Sequence, residues 1–130
     1  MANGKIVADT LEHSTAGSVT TDYVVNGSAK AWTNINQEAA TQLARESFNI
    51  SSIADGGTAK TTVNISNSMS NGNYSFVFGV CNGGGFDDTA TLNVSNTEVP
   101  TASVFKFYSF MNSSLNDALI GNVNIHGDLA

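Results

Sequence analysis

Apolar and polar residues alternate along most of this chain with a period of two. Over residues 58–66, Ala59, Thr61, Val63 and Ile65 fall on one side and Lys60, Thr62, Asn64 and Ser66 on the other. That is the pattern of an antiparallel strand with one face in a core and one in water. Residues 73–81 repeat it through Tyr74, Phe76, Phe78 and Val80. Residues 89–95 do so through Ala90, Leu92 and Val94, and residues 122–129 through Val123, Ile125, Gly127 and Leu129. The intervening Asp55-Gly56-Gly57, Ser70-Asn71-Gly72-Asn73 and Asn82-Gly83-Gly84-Gly85 are turn chemistry, because Gly and Asn tolerate positive φ.

Two further strands are expected over residues 29–36, around the single Trp32, and over residues 45–53, alternating through Phe48 and Ile50. Trp32 and Phe48 are expected to supply the largest buried areas. Lys30, two residues before Trp32, shares its strand face and must be paired or snorkel. Between these strands, residues 37–44 hold helix formers without Gly or Pro, and read equally as one helical turn or a strand edge. Residues 102–110 are the most apolar stretch, with Val104, Phe105, Phe107, Tyr108 and Phe110 spread over both strand faces. Such a strand is either central between two sheets or buried where subunits meet, so these five are the candidate subunit interface. Residues 5–11 look extended and are followed by a turn-rich stretch to Ser18. The expected fold is therefore all-β: an antiparallel, jelly-roll-like β-sandwich of about seven or eight strands over residues 19–130, with an extended N-terminal arm over residues 1–18.

Composition narrows the function. Of 130 residues 41% are hydrophobic, enough for one packed core. Asn, Ser, Thr and Gly together make up 56 residues, while charged residues are only 12%, about half the usual share. Five Lys and Arg against eleven Asp and Glu give a net charge of −6. A phosphate-binding surface needs clustered cations, so nucleic acid is not an expected partner, nor is an anionic membrane. No run of about 18 apolar residues exists to insert into a bilayer. Residues 1–10 lack the basic and apolar regions of a secretory signal, which implies synthesis in the cytoplasm. The lone Cys81 agrees, and reads as a small buried or interfacial residue rather than a nucleophile. A surface of Asn, Ser and Thr is otherwise typical of extracellular β-proteins. A virus particle satisfies both conditions.

Candidate chemistry is sparse. His13 and His126 lie in opposite terminal segments with no metal-binding spacing. Copies meeting on a symmetry axis could join them, but polar surface histidine is the better reading. Asp87-Asp88 follow a glycine-rich loop and offer two oxygens where Ca²⁺ wants more, so a solvated loop is favoured there. Gly83 to Gly85 lack the Lys-Ser of a phosphate loop. The Asn-x-Ser sequons at Asn26, Asn49, Asn64, Asn73, Asn93 and Asn112 are what such a composition yields by chance. No catalytic residue, metal or cofactor is expected, and the chain reads as a non-enzyme.

Three blocks carry a resemblance. Tyr23-Val24-Val25-Asn26-Gly27-Ser28-Ala29-Lys30-Ala31-Trp32 resembles a VNGSAKAW segment of tail-fibre and minor structural proteins of tailed bacteriophages, notably those of marine bacteria. There it is followed by a DSFNVSSxxDNGTG block, here Glu46-Ser47-Phe48-Asn49-Ile50-Ser51-Ser52-Ile53-Ala54-Asp55-Gly56-Gly57-Thr58, and by an alternating strand. A further MxxANYxxV element is similar to Met69-Ser70-Asn71-Gly72-Asn73-Tyr74-Ser75-Phe76-Val77. The likeness covers residues 23–80. It lacks the family's FNGTGT turn, in place of which stand residues 34–40, and it fades from Gly79 onward. The resemblance implies a virion structural role, commonly as a homotrimer, with no catalytic site to carry over. The combined expectation is a trimeric tail-fibre or spike protein held to other virion proteins by its arm. It would offer polar loops to a host-surface glycan, with Asn71, Asn73, Tyr74, Asn82, Phe86, Asp87 and Asp88 at the candidate tips. A chain of this length with no shaft or coiled coil leaves a capsid decoration or head-fibre protein as the alternative. A small carbohydrate-active enzyme or Ca²⁺-dependent adhesin is the alternative of another class.

Overall fold

Period-two patterning turns into antiparallel pairing throughout. The structure, a computed structural model, describes residues 4, 7–81, 90–94 and 98–130. An N-terminal hairpin, β1 (Thr10–His13) and β2 (Gly17–Thr20), leads into a short helix, α1 (Thr21–Gly27). Eight strands then build two sheets. β4 (Leu43–Phe48), β3 (Ala31–Asn36), β11 (Ile120–His126) and β7 (Ser75–Cys81) lie side by side in the first. The second runs β5 (Ile50–Asp55), β6 (Lys60–Ile65), β9 (Val104–Met111) and β8 (Ala90–Val94), and the two-residue β10 (Ser114–Leu115) extends the β6 side of β9. The chain is thus an all-β antiparallel sandwich. β6 lies beside β9 rather than β7, a Greek-key arrangement.

The core is aromatic. Phe105 and Phe107 project inward from β9 and are fully buried. The Phe105 ring lies 5.2 Å from Phe76, 5.7 Å from Phe78, 5.9 Å from Phe107 and 6.5 Å from Tyr74, all within the range of favourable ring contacts. Val63, Ile65 and Leu92 complete the second sheet's inner face; Ala31, Ile35, Val123 and Ile125 form the first's. Residue 105 is therefore buried between sheets, as the doubly apolar pattern of residues 102–110 allowed.

Several expectations are corrected. Residues 45–53 are not one strand but two in different sheets. The chain turns at Asn49, whose φ of 57° lies in the left-handed region that Asn tolerates better than most residues. Its amide ties the corner to both sheets, donating to the carbonyls of Lys30 (3.0 Å) and Asn67 (3.1 Å) and accepting from Asn67 N–H (2.7 Å). Trp32 and Phe48 are not core residues. They are cross-strand partners on the outer face of the first sheet, with Phe48 55% exposed. The inward positions of β3 belong to the smaller Ala31, Thr33 and Ile35, because the aromatic cluster from β7 and β9 already fills the space opposite. Cys81 is exposed rather than buried, at the outward end of β7. Lys30 is buried just ahead of β3, its ammonium donating to the Val25 carbonyl at the end of α1 and to Ser28 Oγ (2.9 Å).

Of residues 37–44, the last two begin β4, an edge strand, while residues 37–42 form neither a helical turn nor a strand. They cross one end of the sandwich and bury two glutamines. Gln37 Nε2 donates to the Ala59 carbonyl (3.1 Å) and Thr61 Oγ1 (2.9 Å), while its Oε1 accepts from Ala118 N–H (2.9 Å) and Ser109 Oγ (2.7 Å). Thr61 Oγ1 donates onward to Gln42 Oε1 (2.5 Å), and Gln42 Nε2 reaches Asp55 Oδ1 (3.1 Å) and the Lys60 carbonyl (3.0 Å). The Ala118 amide can only donate, which fixes the Gln37 amide orientation. The amide groups of both glutamines thus have partners, as a low-dielectric interior requires.

Tyr74 starts the inward row of β7 and is 7% exposed. Its hydroxyl lies 3.2 Å from the Thr101 carbonyl and 3.4 Å from that of Val104, and burial pushes its pKa from 10 up to about 12. Above pH 10 the unfolded chain releases this proton while the folded chain holds it. The contribution is therefore complete below pH 10 and lost as pH rises through about 12. Denaturation midpoints taken from pH 9 to 12 should fall more steeply for the native chain than for Tyr74→Phe. Equal slopes would contradict this.

Candidate functional site

The candidate loop tips separate. Asn71 and Asn73 are exposed, joined by a 2.7 Å bond from Asn73 N–H to Asn71 Oδ1 that shapes a tight turn. Gly72 between them presses on Pro100: a Cβ there would stand 2.2 Å from the Pro100 carbonyl oxygen. Tyr74, expected at this tip, is instead turned into the core. Alternation places it there, since it shares a face with Phe76 and Phe78. Asn82, Phe86, Asp87 and Asp88 lie outside the described residues. The five candidate interface residues also split. Phe105 and Phe107 are spent within the subunit's own core and cannot meet a neighbour, whereas Val104, Tyr108 and Phe110 are half-buried on the outer side of β9. His13 Nδ1 accepts from Ala16 N–H (3.1 Å) and Thr15 N–H (3.3 Å) within the β1–β2 hairpin, and His126 ends β11 in the first sheet. Among the described residues no three His, Cys, Asp or Glu side chains group to hold a metal.

What the fold does assemble is a groove on the outer face of the second sheet. Pairing of β6 with β9 sets Lys60 opposite Tyr108 and Thr62 opposite Lys106, so the polar side of one strand adjoins the aromatic side of the other. β10 adds Leu115 opposite Phe110. The groove holds about 600 Å³, within the usual range for small-ligand sites, and is lined by Lys60, Thr62, Lys106, Tyr108 and Phe110, with Glu98 at its side. Tyr108 and Phe110 meet edge to face, ring centroids 5.7 Å apart at 77°. Lys106 Nζ donates to Glu98 Oε1 at 2.7 Å, an exposed pair that contributes at most about 1 kcal/mol. The Lys60 ammonium has no ion pair or hydrogen bond among the described residues. Two of the chain's five cations therefore share one concavity with a single anion, a local excess of positive charge on a protein of net charge −6.

The first sheet carries a different outer face. Register sets Phe48, Trp32, Asn124 and Val77 in one row across four strands, with Phe48 and Val77 more than half exposed. The next row holds Glu46, Asn34, Asn122 and Gly79, where Asn34 Nδ2 donates to Asn122 Oδ1 at 2.8 Å. Neither surface follows from local sequence alone. The alternating residues of β6 and β9 are visible in the chain, but their adjacency depends on which strands pair.

The chain matches no family model, no curated protein and no solved structure.

Proposed function

We propose that this chain is a non-enzymatic structural protein of a tailed-phage particle, a subunit of a homotrimeric tail fibre or spike that helps attach the particle to its host. The observation that carries this reading is the exposed Phe48–Trp32–Asn124–Val77 row. The sandwich fills its own interior with Phe76, Phe78, Phe105 and Phe107, so these outer apolar groups are surplus to folding and suited to be covered by neighbouring copies. The likeness of residues 23–80 to tail-fibre segments supports the same reading, and residues ahead of β3 would bind other virion proteins. The second sheet's groove stays open to a host-surface glycan.

Quantitative mass spectrometry of purified virions tests it. Peptides of this chain are expected in every particle at a small multiple of three copies per tail. A copy number far above that would favour a capsid decoration role, and absence from particles would overturn the virion reading.

A further inference from the structure

We propose that the groove of the β6–β9 face binds an acidic oligosaccharide, its carboxylate or sulfate held by Lys60 and its pyranose ring lying against Tyr108. This deepens the attachment reading, and rests on it for its biological setting, by naming the kind of glycan. Three features point to that ligand. The Lys60 ammonium stands without a partner while Lys106, diagonal to it across the strand pair, is already engaged by Glu98. An anion entering here meets one uncompensated donor and gains a charge-assisted hydrogen bond. Beside it, the Tyr108–Phe110 pair supplies an apolar surface of the sort that a sugar's C–H face covers. Around these lie short polar side chains suited to hydroxyl groups: Thr62 on β6, and Asn93 and Thr91 on β8, opposite Tyr108 and Phe110. A bare anion would use only the ammonium, and a neutral sugar only the rings and hydroxyls. The groove combines both.

The isolated chain suffices for the test. Isothermal titration calorimetry is run with trigalacturonate, its fully methyl-esterified form, a sulfated galactose trisaccharide and inorganic phosphate. Binding is expected for one of the two acidic sugars, which tells carboxylate from sulfate. It should weaken about tenfold or more in Lys60→Met, the loss of one charge-assisted hydrogen bond. Because Lys60 is exposed, the melting temperature of that variant should match the native one. If carboxylate is the preferred group, the methyl ester gives the same loss on the native protein, independent of any folding effect. Binding of neither acidic sugar, equal binding of acid and ester without sulfated-sugar binding, unchanged affinity in Lys60→Met, or phosphate binding as tightly as the sugar would each overturn the proposal. The two readings fail separately. Sugar binding by a chain absent from virions leaves the groove assignment standing and removes the attachment role, whereas a virion protein that binds no acidic sugar does the reverse.

Discussion

Phe105→Ala is expected to lower the free energy of unfolding by about 3–5 kcal/mol, the range for truncating a buried aromatic. The ring is fully buried and is the hub of the core, within 6.5 Å of four other aromatic rings drawn from both sheets. Its removal forfeits transfer energy and leaves a cavity that the rigid β-pairing on either side prevents from closing. Domains of this size are stable by only about 5–15 kcal/mol, so a fifth or more of the total is at stake. Phe110→Ala, on the same strand but the opposite face, should cost far less, since that ring is half exposed. Urea titration of the two variants separates the cases: a large fall in midpoint for residue 105, a small one for residue 110. Similar falls for both would contradict the assignment of residue 105 to the inner face and residue 110 to the outer one.

Gln37→Met comes second. The side chains match in length, so packing is largely kept while four hydrogen bonds are lost. The Ala118 N–H loses its partner and is left beside a thioether in a dry interior, whereas the Ala59 carbonyl keeps the Ser109 N–H (2.9 Å) and the Ser109 hydroxyl keeps the Asn116 carbonyl. One buried donor left unsatisfied costs about 1–3 kcal/mol, and a loss in that range is expected. A network effect should also appear: Thr61→Val added to Gln37→Met should cost less than the two changes summed, because they share a partner. Denaturation of the double-mutant cycle measures this, and strict additivity would show that the two side chains act independently.

The sandwich was largely legible because alternation is a direct record of which side chains face a core. Residues 58–66, 73–81 and 90–94 each declare the right inward face, Ala59, Thr61, Val63 and Ile65 among them. Trp32 shows that size does not dictate burial: Ala31 and Ile35, on the opposite parity, fit the same alternation and hold the inward positions. The Asn49 corner was hidden because left-handed backbone leaves only a weak residue preference, and apolar residues stand on both sides of it. Gln37 and Gln42 looked like solvent-facing helix formers. Their burial depends on Thr61, Ser109 and Ala118, contributed by distant parts of the chain. The groove was invisible for the same reason, since Lys60 and Tyr108 become neighbours only once β6 and β9 pair. Turn chemistry marks the polar loop tips in the sequence, yet one of their residues, Tyr74, serves the core.

Whether copies of this chain cover the Trp32–Phe48 row is answered by sedimentation equilibrium of the purified protein across micromolar concentrations, alone and as Phe48→Glu. Phe48 is exposed in the single subunit, so the substitution leaves the core untouched and places a charge where neighbours would meet. The native chain should sediment at three times its 13.5 kDa mass, and the variant at that mass itself. A native chain that stays at 13.5 kDa at every concentration would contradict assembly through this face.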